Sequence, residues 1–214
     1  MSTNNNQQEL VSQRCIDLWR GIYSRKQMIR QSPYWAYDRQ GQRVPITDIV
    51  DTVNPTTILD YGSGNGRGAG ILRTHNPQDL VKITCYDPAW PGFEQVPTGE
   101  FDMVIAYNML NNVEAQHRIP VCNHIESLVG KNLIVVIIVP SNLVDRPYQE
   151  LLSIWRGFFP GLRLSYASVG EPEQTVSLQA QPITYVPLFL WLYRDQAEVV
   201  PPVPRVRLKK NKPV

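Results

Sequence analysis

The stretch TTILDYGSGNGRGAG, residues 56–70, constrains the fold more than any other part of the chain. A β-type run at 56–59 ends in Asp60, and Gly62, Gly64 and Gly66 then alternate with small or polar residues. Glycines at the end of a strand let the chain turn sharply and approach a ligand with no side chain in the way. The helix expected after them presents free N–H groups that suit a carboxylate or phosphate. The next strand ends in Asp87, about 20 residues beyond the loop, where an acid can accept both hydroxyls of a ribose. Loop and acid together specify a nucleotide-type site far better than either alone.

The surrounding pattern agrees with a sheet built around that loop. Short apolar runs at 56–59, 81–86, 103–107 and 132–139 alternate with loops and helix-like segments. That alternation predicts an α/β fold, a mostly parallel sheet covered on both faces. Residues 147–159 place Tyr148, Leu151, Leu152, Trp155 and Phe158 on one helical face. Residues 174–193 read as two strands meeting around Gln181-Pro182, a hairpin that closes the sheet antiparallel. Upstream, Val11, Cys15, Leu18, Ile22 and Ile29 follow helical spacing, and Ser32-Pro33 should stop that helix. An aromatic knot (Tyr34, Trp35, Tyr37) and a short helix over 46–53 lead into the loop.

Composition removes several classes. With 43% hydrophobic and 19% charged residues, 214 residues make a core rather than a disordered chain. The longest apolar runs, 133–139 and 186–192, fall far short of the ~20 residues of a membrane helix, so no membrane partner is expected. Three widely spaced cysteines (Cys15, Cys85, Cys122) support neither a disulfide framework nor a Cys-rich metal site. The start, MSTNNNQQEL, has no basic or apolar signal region, and a cytoplasmic, reducing location is expected. The net charge of +2 divides unevenly: +2 over 1–53, −5 over 54–200 and +5 over 201–214. Three regions are therefore expected: a polar N-terminus with a helical lid (1–53), the sheet domain (54–196) and a basic, proline-rich tail (197–214). The tail is either a solvated extension or an arm for nucleic acid or another anionic partner, reaching it through residues 201–214.

Two cofactor types fit the loop. A dinucleotide register (Gly64, Gly66, Ala69) starts too late after the strand for its tight turn. The natural register is Asp-x-Gly-x-Gly-x-Gly from Asp60, and an acid before the glycines suits a ligand with a positive amine. S-adenosylmethionine offers one: its amino group can lie near Asp60 and its ribose near Asp87.

On these residues the sequence resembles the class I S-adenosylmethionine-dependent methyltransferases, whose first motif LDYGSGNG matches. The blocks ILDYGSGNGRG, CYDPAWPGF and PTGEFDMVIAYNML are most similar to a phage-type methyltransferase-domain family, over roughly residues 40–140. The resemblance implies a Rossmann-like fold, a cytoplasmic enzyme (host cytoplasm if viral), and cofactor contacts at Asp60, Gly62, Gly64, Gly66 and Asp87. It also implies that Pro88 to Trp90 lie beside the adenine.

Two departures from that family carry consequences. Only thirteen residues, 88–100, separate Asp87 from Phe101, too few for helix, strand and helix, so the third strand should be missing or reduced. The fourth strand ends at Tyr107-Asn108, and Asn111 and Asn112 stand where phage-type relatives read Glu-His. Asn108 can still hydrogen-bond cofactor or acceptor and is the candidate catalytic residue, but the obvious proton acceptor is gone. Methyl transfer from a sulfonium rests largely on positioning, and a base is required only where the acceptor must lose a proton early. The sequence therefore allows a methyltransferase of unidentified acceptor, an inactive methyltransferase-like viral protein, or a nucleic-acid methyltransferase.

Other signals are weaker. DPAW, residues 87–90, resembles the D-P-P-[YFW] signature of adenine-amino methyltransferases, but it closes the second strand instead of the fourth. His117 and His124, near Glu114 and Glu126, invite a metal site. Pro120 is expected to start the helix of His124 and so to separate them; no metal is expected. Tyr34, Trp35 and Tyr37 could stack a planar substrate or simply pack the N-terminal helix. Arg20, Arg25, Lys26 and Arg30 form a basic cluster that reads as a solvated helix face.

Overall fold

Ser12 accepts the Cys15 N–H at 3.1 Å and so starts α1 (Gln13–Tyr23), satisfying one of the N–H groups a helix start leaves unpaired. This computed structural model describes residues 10–24, 34–76, 80–143, 146–176 and 182–195. The helix expected to reach Ile29 is described only to Tyr23; Arg25, Lys26, Arg30 and Ser32-Pro33 lie outside the described residues. The aromatic knot is a strand. β1 (Trp35–Tyr37) pairs antiparallel with β2 (Arg43–Pro45), around a turn in which Asp38 Oδ1 accepts the N–H groups of Gln40 and Gln42. α2 (Ile46–Val53) ends where Asn54 turns left-handed, φ 47°, and donates its N–H to Val50 O.

The main sheet follows from the glycine loop onward. β3 (Thr57–Tyr61), β4 (Lys82–Tyr86), β5 (Phe101–Tyr107) and β6 (Val129–Pro140) are parallel, with α3 (Arg67–His75) crossing from β3 to β4 and α4 (Ala115–Leu128) from β5 to β6. After α5 (Tyr148–Gly157) come β7 (Arg163–Val169), β8 (Glu173–Val176) and β9 (Pro182–Tyr193). The order is β4-β3-β5-β6-β9-β7, with β9 antiparallel to both neighbours and β8 hydrogen-bonded to β9. This is the mostly parallel α/β sheet with an antiparallel closing hairpin that the sequence predicts. β4 is an edge, and residues 87–100 hold neither helix nor strand, so the third strand is missing as expected.

Strand periodicity sorts the core into two layers. Leu59, Val104, Leu133, Val135 and Leu190 face α4 and α5, while Ile58, Met103, Ile105, Ile134, Val136, Phe189 and Trp191 face α2 and the β1–β2 pair. Every residue from Leu188 to Leu192 is fully buried, because β9 is an inner strand with both faces covered. Trp191 satisfies its indole by donating to Asn132 Oδ1 at 3.0 Å. One strand was missed and one expectation is overturned. β7 was not foreseen, because its alternating, half-exposed residues lack the apolar run of an inner strand. Pro120 does not start a helix: it lies inside α4, whose first turn begins at Ala115. A proline there removes the N–H that Gln116 O would have accepted and crowds that carbonyl, a cost the helix carries one turn from its start.

Candidate functional site

The parallel strands end together, and their ends collect the residues singled out in the sequence. Register pairs Asp60 with Cys85 on one side and Ile105 on the other, and Tyr107 with Val136. The glycine loop after β3, Asp87 after β4 and Asn108 after β5 therefore share one edge. The chain leaves β3 for β4 on one side while β5 lies on the other, the switch point at which open α/β sheets place a ligand crevice.

The loop uses its glycines for conformation. Gly62, Gly64 and Gly66 have φ of 77°, 52° and 71°, a region that other residues enter only at a cost. Gly62 and Ser63 donate their N–H groups to Tyr86 O at 2.7 and 3.1 Å, which seats the loop on the end of β4. The spaces above Gly62 and Gly66 are occupied. A Cβ on Gly62 would lie 2.6 Å from the Met109 side chain, and one on Gly66 2.9 Å from the Phe93 ring.

Asp87 is 5% exposed and fully engaged. Its Oδ1 accepts the Ala89 N–H at 2.9 Å; its Oδ2 accepts the Gly64 N–H at 2.9 Å and the Tyr23 hydroxyl at 3.1 Å. Burial raises its pKa, opposed by the hydrogen bonds from Ala89, Gly64, Tyr23 and Trp90. The same contacts push the Tyr23 hydroxyl far above its ordinary value, with burial foremost and the Asp87 charge next. Tyr23 in turn meets the edge of Trp90, ring centroids 5.2 Å apart. α1 thus closes over Asp87.

Asp60 is enclosed beneath the loop rather than open to the crevice, at 0% exposure. The Tyr34 hydroxyl donates to both of its oxygens at 2.9 and 3.1 Å, and the Ala69 N–H donates to it as well. Burial lifts its pKa to about 7, these donors and Arg73 pull it down, and the Asp87 charge adds to the rise. Tyr34 also stacks on Tyr107, centroids 4.5 Å apart, and covers Gly68 so closely that a Cβ there would lie 2.1 Å from the ring. Neither ring carbon is a flexible chain end. Gly68→Ala is accordingly expected to destabilise the protein by about 2 kcal/mol, the cost typical of overpacking, despite the better helix propensity of alanine. Chemical denaturation of the two proteins measures it.

Beyond β5 the chain turns at Asn108 with φ 50°; its N–H donates to Val136 O at 2.6 Å and its carbonyl accepts from Asn112 Nδ2 at 2.8 Å. A 3-10 turn, Leu110–Asn112, follows. The side-chain oxygens of Asn108 and Asn111 are buried without a hydrogen-bond partner.

The strand ends thus bring Gly62, Gly64, Gly66, Asp87 and Asn108 together, with Trp90 against Tyr23, while Asp60 lies enclosed beneath the loop. Pro88 lies in the turn that Asp87 closes by donating its N–H to Phe93 O. Tyr23, Phe93 and Met109 were missed, because nothing in the local pattern links them to a loop far away in the chain. The knot is packed, not open: Tyr34 lies on Asp60, Tyr37 against Phe189, and Trp35 under Arg43. His117 pairs with Glu114 at 3.0 Å and His124 with the Tyr61 hydroxyl at 3.0 Å, so Pro120 is not what keeps them apart. No cluster of three His, Cys, Asp or Glu suited to a metal occurs among the described residues, and no described helix is long and apolar enough to cross a membrane.

No protein-family model matches the chain, and no curated protein does. Solved structures do align. One, from the conversion of a disulfide bond into a thioacetal group during echinomycin biosynthesis, is 14% identical at a TM-score of 0.54, covering 86% of this chain and 94% of that one. Magnesium protoporphyrin IX methyltransferase from Synechocystis with bound S-adenosylmethionine is 15% identical at a TM-score of 0.46, covering 70% and 76%. An O-methyltransferase family protein from Burkholderia thailandensis is 15% identical at 0.47, covering 72% and 55%. At such identities the likeness is one of fold.

Proposed function

We propose that the crevice binds S-adenosylmethionine and that the protein is a methyltransferase of unidentified acceptor. The observation that carries this is the pairing of a left-handed triple-glycine loop with Asp87. An ionised carboxylate has about four acceptor positions, and the N–H groups of Gly64, Ala89 and Trp90 and the Tyr23 hydroxyl all donate to Asp87. Release of Tyr23, the one side-chain donor among them, frees a position for a ribose hydroxyl. Gly62, Gly64 and Gly66 would accommodate the amino-acid end of the ligand, Asp60 would act on its ammonium as a nearby charge, and Pro88 and Trp90 would flank the adenine. When bound, the ligand supplies an activated methyl group. The protein's part is to orient it and exclude water.

In this reading Tyr23 is a competitor of the ribose. Tyr23→Phe removes the hydroxyl and keeps the ring, and is expected to tighten S-adenosylmethionine binding about fivefold, one neutral-to-charged hydrogen bond less to break. The proposal itself is tested by thermal shift with S-adenosylmethionine, S-adenosylhomocysteine, NAD and ATP. Stabilisation by the first two supports it, and stabilisation by NAD instead returns the site to the dinucleotide register.

A second reading has its own support. Met109 fills the space Gly62 leaves, Phe93 that of Gly66, and Tyr23 occupies Asp87, as in a domain that has kept the fold and lost the ligand. Stabilisation by no adenosyl ligand would favour it. A viral origin rests on the LDYG, YDP and FD blocks, and nucleic-acid modification on the basic tail, which lies outside the described residues.

A further inference from the structure

Resting on the S-adenosylmethionine reading, we propose that the methyl acceptor is a neutral nitrogen carrying at least one hydrogen, held through that hydrogen by the amide oxygens of Asn108 and Asn111. Only two non-glycine residues among those described have positive φ, Asn54 and Asn108. Asn54 is explained as the end of a helix. Asn108 ends no helix: its backbone is pinned to Val136 and Asn112, in a conformation costly for most residues, beside the loop at the mouth of the crevice. Its Oδ1 is buried and unpaired, and so is that of Asn111 three residues on. A buried amide oxygen without a partner costs stability, and such exceptions call for a donor supplied from elsewhere. Two such oxygens in one short segment ask for N–H or O–H groups.

The chemistry separates those two. From Tyr107 to Val113 no side chain can take a proton at neutral pH, and Glu114 is committed to His117 and Ser12. A hydroxyl that must ionise before attack finds no base there, and a thiolate has no hydrogen to offer. A neutral nitrogen needs neither. Its lone pair forms the N–CH3 bond while the S–CH3 electrons return to sulfur, so the positive charge passes from sulfonium to nitrogen. The added charge is met by amide oxygens, and the surplus N–H proton then leaves to water.

The test needs no knowledge of the acceptor. Sinefungin carries an amine where S-adenosylmethionine carries its methyl group, and S-adenosylhomocysteine carries nothing there. The wild type is expected to prefer sinefungin over S-adenosylhomocysteine about tenfold or more, as for a hydrogen bond to a charged donor. Asn108→Gly keeps the left-handed backbone and deletes the amide, while Asn111→Ala makes the second deletion outside any positive φ. In each the preference is expected to fall to about threefold or less, and if one variant fails to fold the other carries the test. Equal affinities in the wild type, or a preference that survives both substitutions, overturns the proposal. Binding of neither ligand overturns the S-adenosylmethionine reading and this proposal with it, a result distinct from equal binding of both.

Discussion

Asp87→Ala is expected to weaken S-adenosylmethionine binding about 100-fold, as loss of a ribose hydrogen bond to a charged group predicts. Asp87 also holds the Gly64 and Ala89 N–H groups, so the substitution loosens the loop as well as deleting the ribose partner. The Tyr23→Phe variant separates these roles. It removes one donor to Asp87 and leaves the loop contacts intact, so it is expected to move affinity in the opposite direction. Isothermal titration of both variants reads the two effects. Loss of affinity in Tyr23→Phe would make Tyr23 a ligand contact instead of a competitor.

Asp60→Asn is expected to stabilise the protein above neutral pH while weakening the ligand. The Asp60 pKa is raised in the folded state to about 7, from an ordinary 3.8. A raised acid keeps its proton better folded than unfolded. Its contribution is therefore full below pH 3.8 and is lost as the pH rises through about 7. A shift of about three units corresponds to roughly 4 kcal/mol. An asparagine at the same place can still accept from Tyr34 and Ala69 but brings an amide nitrogen that needs its own acceptor. A gain of about 2 kcal/mol at pH 8 is the expectation, with a flatter profile from pH 4 to 7. The same change removes a negative charge near the ligand ammonium and should weaken S-adenosylmethionine about fivefold. Urea unfolding across pH, with binding measured at pH 8, checks both. An unchanged pH profile would mean that Asp60 titrates normally.

The parts legible in the sequence are those that backbone geometry dictates. The glycines had to be glycines because three left-handed φ values occur in a run, and Asp87 was visible because chain geometry places an acid at the second strand tip. The missing third strand followed from counting residues 88–100. What closes the crevice was not legible. Tyr23 reaches Asp87 from 64 positions away, and Phe93 covers Gly66 only because the 87–93 turn folds back. Tertiary packing of that kind leaves no local period. β7 escaped for a related reason, since a half-exposed edge has no continuous apolar run, and Pro120 misled because a helix tolerates proline where its lost N–H bond lies near the first turn.

Binding of S-adenosylmethionine decides between an open and a closed site, and calorimetric titration of the full chain measures it. Saturable heat at a stoichiometry of one, with a Kd of about 100 μM or tighter, is the result expected of an opened Asp87 and a glycine loop receiving the ligand. No heat up to about 1 mM ligand, from protein shown to be folded, would contradict it and leave a Rossmann-like sheet whose crevice is closed by its own side chains.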